Sequence, residues 1–166
     1  MKLELTPIGL IHSPHRKAEG TPIQPRWAAG IEGTVEVFPE FVTGLRDLDG
    51  FDRIWLLYWF DRAQAAQLEV VPYLDTQPRG IFATRAPSRP NAIGLSCVRL
   101  LAVEGALLRV ADLDVLDGTP LLDIKPYVPD FDTIAARRVG WYAQARGTGI
   151  ADGRFAQEAW SKIPPP

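Results

Sequence analysis

Arginine, asparagine and aspartate gather on three proline-stiffened segments, and these are where the chain can do chemistry. Residues 84–94 read TRAPSRPNAIG. Proline fixes φ and reduces the entropy lost when a loop is held open. The forks of Arg85 and Arg89 suit a carboxylate or a phosphate. Asn91 offers both donor and acceptor, and Gly94 lets backbone approach a ligand closely. A rigid β-turn with surface arginines fits the same residues equally well. Residues 116–127 read LDGTPLLDIKPY, where Asp117-Gly118 is a strong turn dipeptide and Pro120 has no amide to donate. Asp117 and Thr119 can hold ribose hydroxyls or a cationic group. Composition alone favours an ordinary turn in which Asp117 accepts its own backbone amides. Residues 12–27, HSPHRKAEGTPIQPRW, form a long proline-punctuated loop of a kind that is often functional. Gln24 and Arg26 are its ligand groups, and a disordered surface loop is the alternative.

Other chemistries lack their residues. There is no P-loop, no GxSxG elbow and no GxGxxG after a strand. His12 and His15 stand three apart, but zinc needs further ligands that nothing in the sequence nominates, so no metal is expected. They read as an exposed or substrate-contacting pair. Cys97 is the only cysteine, which excludes an intrachain disulfide and suits a reducing cytoplasm. It reads as an inert core residue of a strand.

The elements that must position these residues are short. Fifteen prolines and fourteen glycines favour many brief strands over long helices. Strands are expected at 8–11, 33–38, 51–60, 80–83, 95–103, 107–113 and 122–127. In 33–38, Val35 and Val37 share one face. The aromatic run 51–60, FDRIWLLYWF, reads as a strand buried on both faces. Its Trp55, Tyr58, Trp59 and Phe60 fit a core or a dimer face better than a base-stacking platform. Glu104-Gly105 can turn 95–103 back against 107–113. Helices are expected at 39–45, at 132–144 and from Asp152, as a cap, through Trp160, with a frayed tail at 164–166. The expected fold is mainly β: an antiparallel barrel with a few short helices.

At 166 residues the chain suits one domain, with a motif-bearing core over about 6–132 and a helical tail over 133–166. Hydrophobic residues at 46% and charged residues at 23% fit a globular protein. No apolar run of about 18 residues exists, so no membrane span is expected. The first ten residues lack a signal peptide's features. The net charge of -2 hides an uneven distribution. Residues 76–99 carry four arginines and no acid, while 111–132 carry six aspartates and one lysine. Charge alone favours opposite solvated surfaces, although the basic stretch can meet phosphate.

Five segments, in order, resemble one family: IGLIHSPH, PIQP, LDGFDRIWLLYWF, GIFATRAPSRPNAIGLS and LDGTPLLDIKPY. Together they are similar to the TsaA-like family, also called YaeB-like or TrmO-like. The resemblance implies a β-barrel domain, a homodimer, and S-adenosylmethionine bound near the subunit interface. It implies methylation of the N6 nitrogen of threonylcarbamoyladenosine beside the tRNA anticodon. It places cofactor contacts on Pro22, Ile23, Gln24, Asp61, Arg62, Arg85, Leu95, Asp117, Gly118, Thr119 and Pro120. Asp61 stands where many relatives carry histidine. The chain is too short for the extra C-terminal domain of longer tRNA-modifying relatives. On this reading Arg85 holds the methionyl carboxylate, while backbone near Leu95 and the 117–120 turn hold adenosine. Arg89 and Asn91 orient the acceptor, and His12 or His15 takes a proton or contacts phosphate. Arg16, Lys17, Arg26 and Arg79 are expected on tRNA phosphates. A non-catalytic S-adenosylmethionine-binding module, a small-molecule methyltransferase and a barrel binding single-stranded nucleic acid are the rival readings.

Overall fold

A computed structural model describes residues 4–155. Its strands are β1 (Gly9–His12), β2 (Glu32–Val37), β3 (Arg53–Trp59), β4 (Glu69–Val70), β5 (Arg79–Gly80), β6 (Ile93–Glu104), β7 (Leu107–Ala111) and β8 (Thr119–Pro126). Six of them close an antiparallel barrel in the order β1-β2-β7-β6-β3-β8, and β4 and β5 pair separately. Closure removes the unpaired edges that an open sheet of this size would expose.

Alternation explains the core. Val35 and Val37 on β2, Ile54, Leu56 and Tyr58 on β3, and Leu108 and Val110 on β7 point inward and are buried. Ile11, Val98 and Leu121 join them from β1, β6 and β8. The aromatic strand therefore does not bury both faces. Its outward residues are only half covered, and Trp59 is 48% exposed. No layer of the described residues packs over this wall as helices pack over a parallel sheet. The β6–β7 hairpin closes through Gly105 at φ 64, a left-handed conformation that glycine adopts without strain.

Several expected elements are replaced. Residues 80–83 are not a strand: after Gly80 the chain makes a 3-10 turn over Ile81–Ala83. Thr84 closes it by donating both amide and hydroxyl to the Ile81 carbonyl, at 3.1 and 2.9 Å. Residues 39–45 form a 3-10 helix, Pro39–Leu45. The expected 132–144 helix is absent: one α turn, α1 (Pro129–Asp132), and a 3-10 turn over Gly140–Gln144 stand near it. Its apolar spacing has nothing to pack on, leaving Ile134 83% and Val139 54% exposed. Trp141 instead donates its indole N–H to the Ala83 carbonyl at 2.7 Å. Asp152 accepts the Arg154 amide at 2.9 Å, as a capping residue would, but residues 156–160 and 164–166 lie outside the described residues. No helix among the described residues is long and apolar enough to cross a membrane.

Candidate functional site

One rim of the barrel gathers the connections that carry segments 12–27 and 84–94 and the Asp117-Gly118 turn. Ladder partners fix this: His12 faces Thr34, Ile11 faces Thr119, Glu32 faces Ala111, and Trp59 faces Ile93. The ends of β1, β3 and β7 and the starts of β2, β6 and β8 therefore share that rim. Segments 13–31, 60–92 and 112–118 all leave from it, although they are far apart in sequence. The opposite rim carries the tight β6–β7 turn and the 3-10 connection after β2.

A cleft of about 400 Å³ opens on the barrel wall below this rim. Gln24, Arg26, Arg53, Trp55, Arg85, Leu95, Cys97 and Asp112 are among its lining residues. Arg85, on its stiff loop, donates to the Gln24 side-chain oxygen at 2.5 Å, so two of the sequence-singled loops clasp across the opening. The Gln24 amide group in turn donates to the Ile23 carbonyl at 2.6 Å. A guanidinium whose partner is a neutral amide oxygen remains able to take a ligand carboxylate. Leu95 and Cys97 reach the cleft because they are alternate outward residues of β6, while Ser96 between them points in. Cys97 is thus a cleft residue rather than an inert core one, and burial pushes its thiol up.

Behind that wall lies a buried polar chain. The Tyr58 and Ser96 hydroxyls are 3.0 Å apart, and Ser96 donates to Asp114 at 2.6 Å. Burial pushes the Asp114 carboxyl up to about 7, against the opposing effects of the Ser96 hydroxyl, its own amide and Arg85. Burial likewise raises the Tyr58 phenol, with the Asp114 charge adding to it. Asp112 behaves differently. Burial works to raise it, but the Gly30 amide and the Arg99 and Arg53 guanidinium groups prevail and hold it below the usual range. The acidic and basic stretches are therefore not opposite surfaces; they interlock at this site.

The remaining expected residues are distributed around the rim. Pro22 is buried and bridges Ile150, and Ile23 donates its amide to the Gly149 carbonyl at 2.9 Å. The strap 145–155 thus pins the loop that presents Gln24. Arg62 donates to Asp61 at 3.2 Å and to the Thr119 hydroxyl at 2.7 Å, tying the end of β3 to the start of β8. Pro120 lies on β8 opposite Leu10. Gly118 takes φ 74, so the turn needs glycine there. Asp117 does not cap its own turn: it accepts the Ser13 amide at 3.0 Å and pairs with Arg16. With His12 it lines a separate, shallower depression. None of Asp61, Arg62 and Asp117 to Pro120 lines the cleft. His12 contacts Glu36 at 2.9 Å, and His15 contacts the Leu113 carbonyl at 3.0 Å. Arg89 is not free to orient a ligand: it donates to the carbonyls of Ile81, Thr84 and Ala86 and braces its own loop. Asn91 is exposed. Of the expected phosphate contacts, Arg16, Lys17 and Arg79 already pair with Asp117, Glu19 and Asp75. Arg26 lines the cleft.

Sequence reading passed over Arg53, Ser96, Asp112 and Asp114 as site residues. The signal for the last two was present: aspartates alternating with leucine and valine in ADLDVLDGTP sit where a strand pattern would bury them. Among the described residues no group of His, Cys, Asp and Glu is placed to hold a metal ion.

Comparison with known proteins adds to this geometry. A family profile described as the tRNA-methyltransferase O N-terminal domain matches residues 10–133. A probable S-adenosyl-L-methionine-binding protein of Pyrococcus abyssi is 56% identical over 135 residues, covering 81% of this chain and 73% of its own length. The tRNA (adenine(37)-N6)-methyltransferase of Mus musculus is 35% identical over 134 residues, covering 76% of this chain. The crystal structure of TrmO from Pseudomonas aeruginosa superposes with a TM-score of 0.71 at 40% identity, covering 85% of this chain. This chain spans 31% of the mouse enzyme and 63% of the crystallised bacterial chain.

Proposed function

This chain belongs to the tRNA-methyltransferase O family, and on that premise we propose that it is an S-adenosylmethionine-dependent methyltransferase acting on tRNA. The acceptor in this reading is the N6 nitrogen of threonylcarbamoyladenosine beside the anticodon. The observation that carries it is the Arg85–Gln24 clasp over a cleft that Leu95 also lines. A fixed cation, amide groups and an apolar side chain suit a zwitterionic amino acid joined to a nucleoside.

S-adenosylmethionine supplies a methyl group already activated on a sulfonium. The protein's work is then positioning, for which neither a metal nor a covalent nucleophile is needed. Arg85 exchanges Gln24 for the methionyl carboxylate. Gln24, released, offers its amide to the amino acid end. Leu95 covers the apolar edge of the nucleoside. Asp61, Arg62 and the turn Asp117, Gly118, Thr119 and Pro120 lie on the same rim but outside the cleft, and a homodimer gives them a role. The half-exposed strip of Trp59, Ile93 and Leu95 is the face for that pairing, and pairing brings a second rim towards the cleft. His12, His15 and Asn91 are the acceptor-side groups, and the adenine is read unstacked from a single-stranded loop.

The test incubates the protein with labelled S-adenosylmethionine and total tRNA from a strain lacking the modification, followed by nucleoside mass spectrometry. Methylated threonylcarbamoyladenosine is the expected product. Transfer only to small molecules replaces the acceptor. Cofactor binding without any transfer replaces the enzyme with a binding module, the reading suggested by the name of the Pyrococcus relative.

A further inference from the structure

Arg53 on β3 and Arg99 on β6 face each other directly in the ladder. Like charges at facing positions repel, so the pair needs compensation. Asp112 provides one carboxylate for both, at 3.0 Å from Arg99 Nε and 3.3 Å from Arg53 Nη2. The same carboxylate accepts the Gly30 amide at 2.9 Å and so also holds the 25–31 loop. Asp112 does this from φ 66, a left-handed conformation that only glycine, asparagine and aspartate visit readily. Asp112 balances only one of these two charges, and Asp132, the other carboxylate whose charge reaches Cys97 on this wall, pairs with neither arginine. The two arginine side chains stay 39% and 45% exposed. Arg26 adds a further cation across the cleft. Trp55, two residues after Arg53 on the same outward face, presents its indole in the same cleft beside Cys97.

We propose that Arg53 and Arg99, oriented by Asp112, form a subsite for one RNA phosphodiester, with Trp55 as the stacking surface for the adjoining base. Two convergent forks match the paired oxygens of a phosphate, and an indole beside them suits any base. Asp112 is a positioning residue here, because it aims both forks while cancelling only one of their charges. Arg53 and Trp55 line the same cleft as the Arg85–Gln24 clasp, while Arg99 continues from it along the barrel wall, so the RNA lies beside the donor. This deepens the reading of the chain as a tRNA methyltransferase and rests on it.

The experiment measures binding of a synthetic anticodon stem-loop RNA over a range of salt concentrations for the wild type, Arg53→Gln, Arg99→Gln and Trp55→Leu. Each arginine variant leaves the other to pair with Asp112, so a folding failure in one does not remove the test. Each arginine variant is expected to make the plot of log affinity against log salt shallower by about 0.7, the contribution of one single-stranded phosphate. Trp55→Leu is expected to weaken binding about tenfold at an unchanged slope, as loss of stacking does. Unchanged slopes in both arginine variants, with the wild type binding RNA, overturn the subsite alone. A parallel loss of S-adenosylmethionine affinity by calorimetry also overturns it, since the damage is then to the whole pocket. A wild type that binds the cofactor but no RNA overturns the tRNA reading and the subsite with it. Variants that dissociate a dimer in sedimentation without altering the slope assign this face to a second copy of the chain.

Discussion

Replacing Asp114 by asparagine is expected to stabilise the protein above neutral pH and to do little in mild acid. The carboxyl is buried, and burial pushes it from the ordinary 3.8 up to about 7 despite the Ser96 hydroxyl, its own amide and Arg85. Between those two values the folded state binds a proton that the unfolded chain has released, so stability falls as pH rises through the window. At the usual cost of a tenfold change in equilibrium, the interval of about 3 pH units amounts to roughly 4 kcal/mol. Most of that, about 3 kcal/mol, accrues between pH 5 and 8. Asparagine keeps an oxygen to accept from Ser96, as at 2.6 Å in the native chain, and it carries no charge to bury. Urea denaturation of both proteins at pH 5, 6, 7 and 8 is the assay. The difference between variant and wild type should grow in the variant's favour across that range. Parallel pH curves, or a variant that loses ground as pH rises, would refute the claim that the native fold holds this carboxyl protonated near neutrality.

Asp112 should act in the opposite sense. Its folded carboxyl is held low, so its contribution is present above the ordinary carboxylate range and is lost as pH falls through the lowered value. Asp112→Asn should therefore flatten the acid limb of the same stability profile. Arg85→Ala should weaken S-adenosylmethionine binding at least tenfold by calorimetry, since a charge-assisted contact is worth about 1.5–3 kcal/mol; unchanged affinity removes Arg85 from the site. Gly94→Ala places a methyl group inside the Tyr58 ring, and should cost about 3 kcal/mol in urea titration unless the ring moves, which the Ser96 bond resists. Leu56→Ala, in a fully buried position of β3, should cost about 2–5 kcal/mol by the same measurement.

What the sequence determined by itself is local. Alternation of Val35 and Val37, the Glu104-Gly105 turn and the Asp117-Gly118 turn depend on residues a few positions apart, and each occurs where the pattern places it. The barrel class follows from many short strands and prolines, and the motifs singled out the loops of Gln24 and Arg85, which meet at the cleft. The closing of the barrel decided the rest. It brought Arg85 to Gln24, 61 residues away, and Asp112 to Arg53, 59 residues away. It also turned the outer face of the aromatic strand to solvent and left residues 132–144 with no surface to coil against. Local periodicity cannot encode those outcomes, because a buried carboxylate takes whichever donor the distant strands deliver, and an amphipathic stretch becomes a helix only where an apolar face is waiting for it. Arg89 shows the limit most clearly. Its type and spacing suit a ligand, yet the folded loop turns three carbonyls onto its guanidinium.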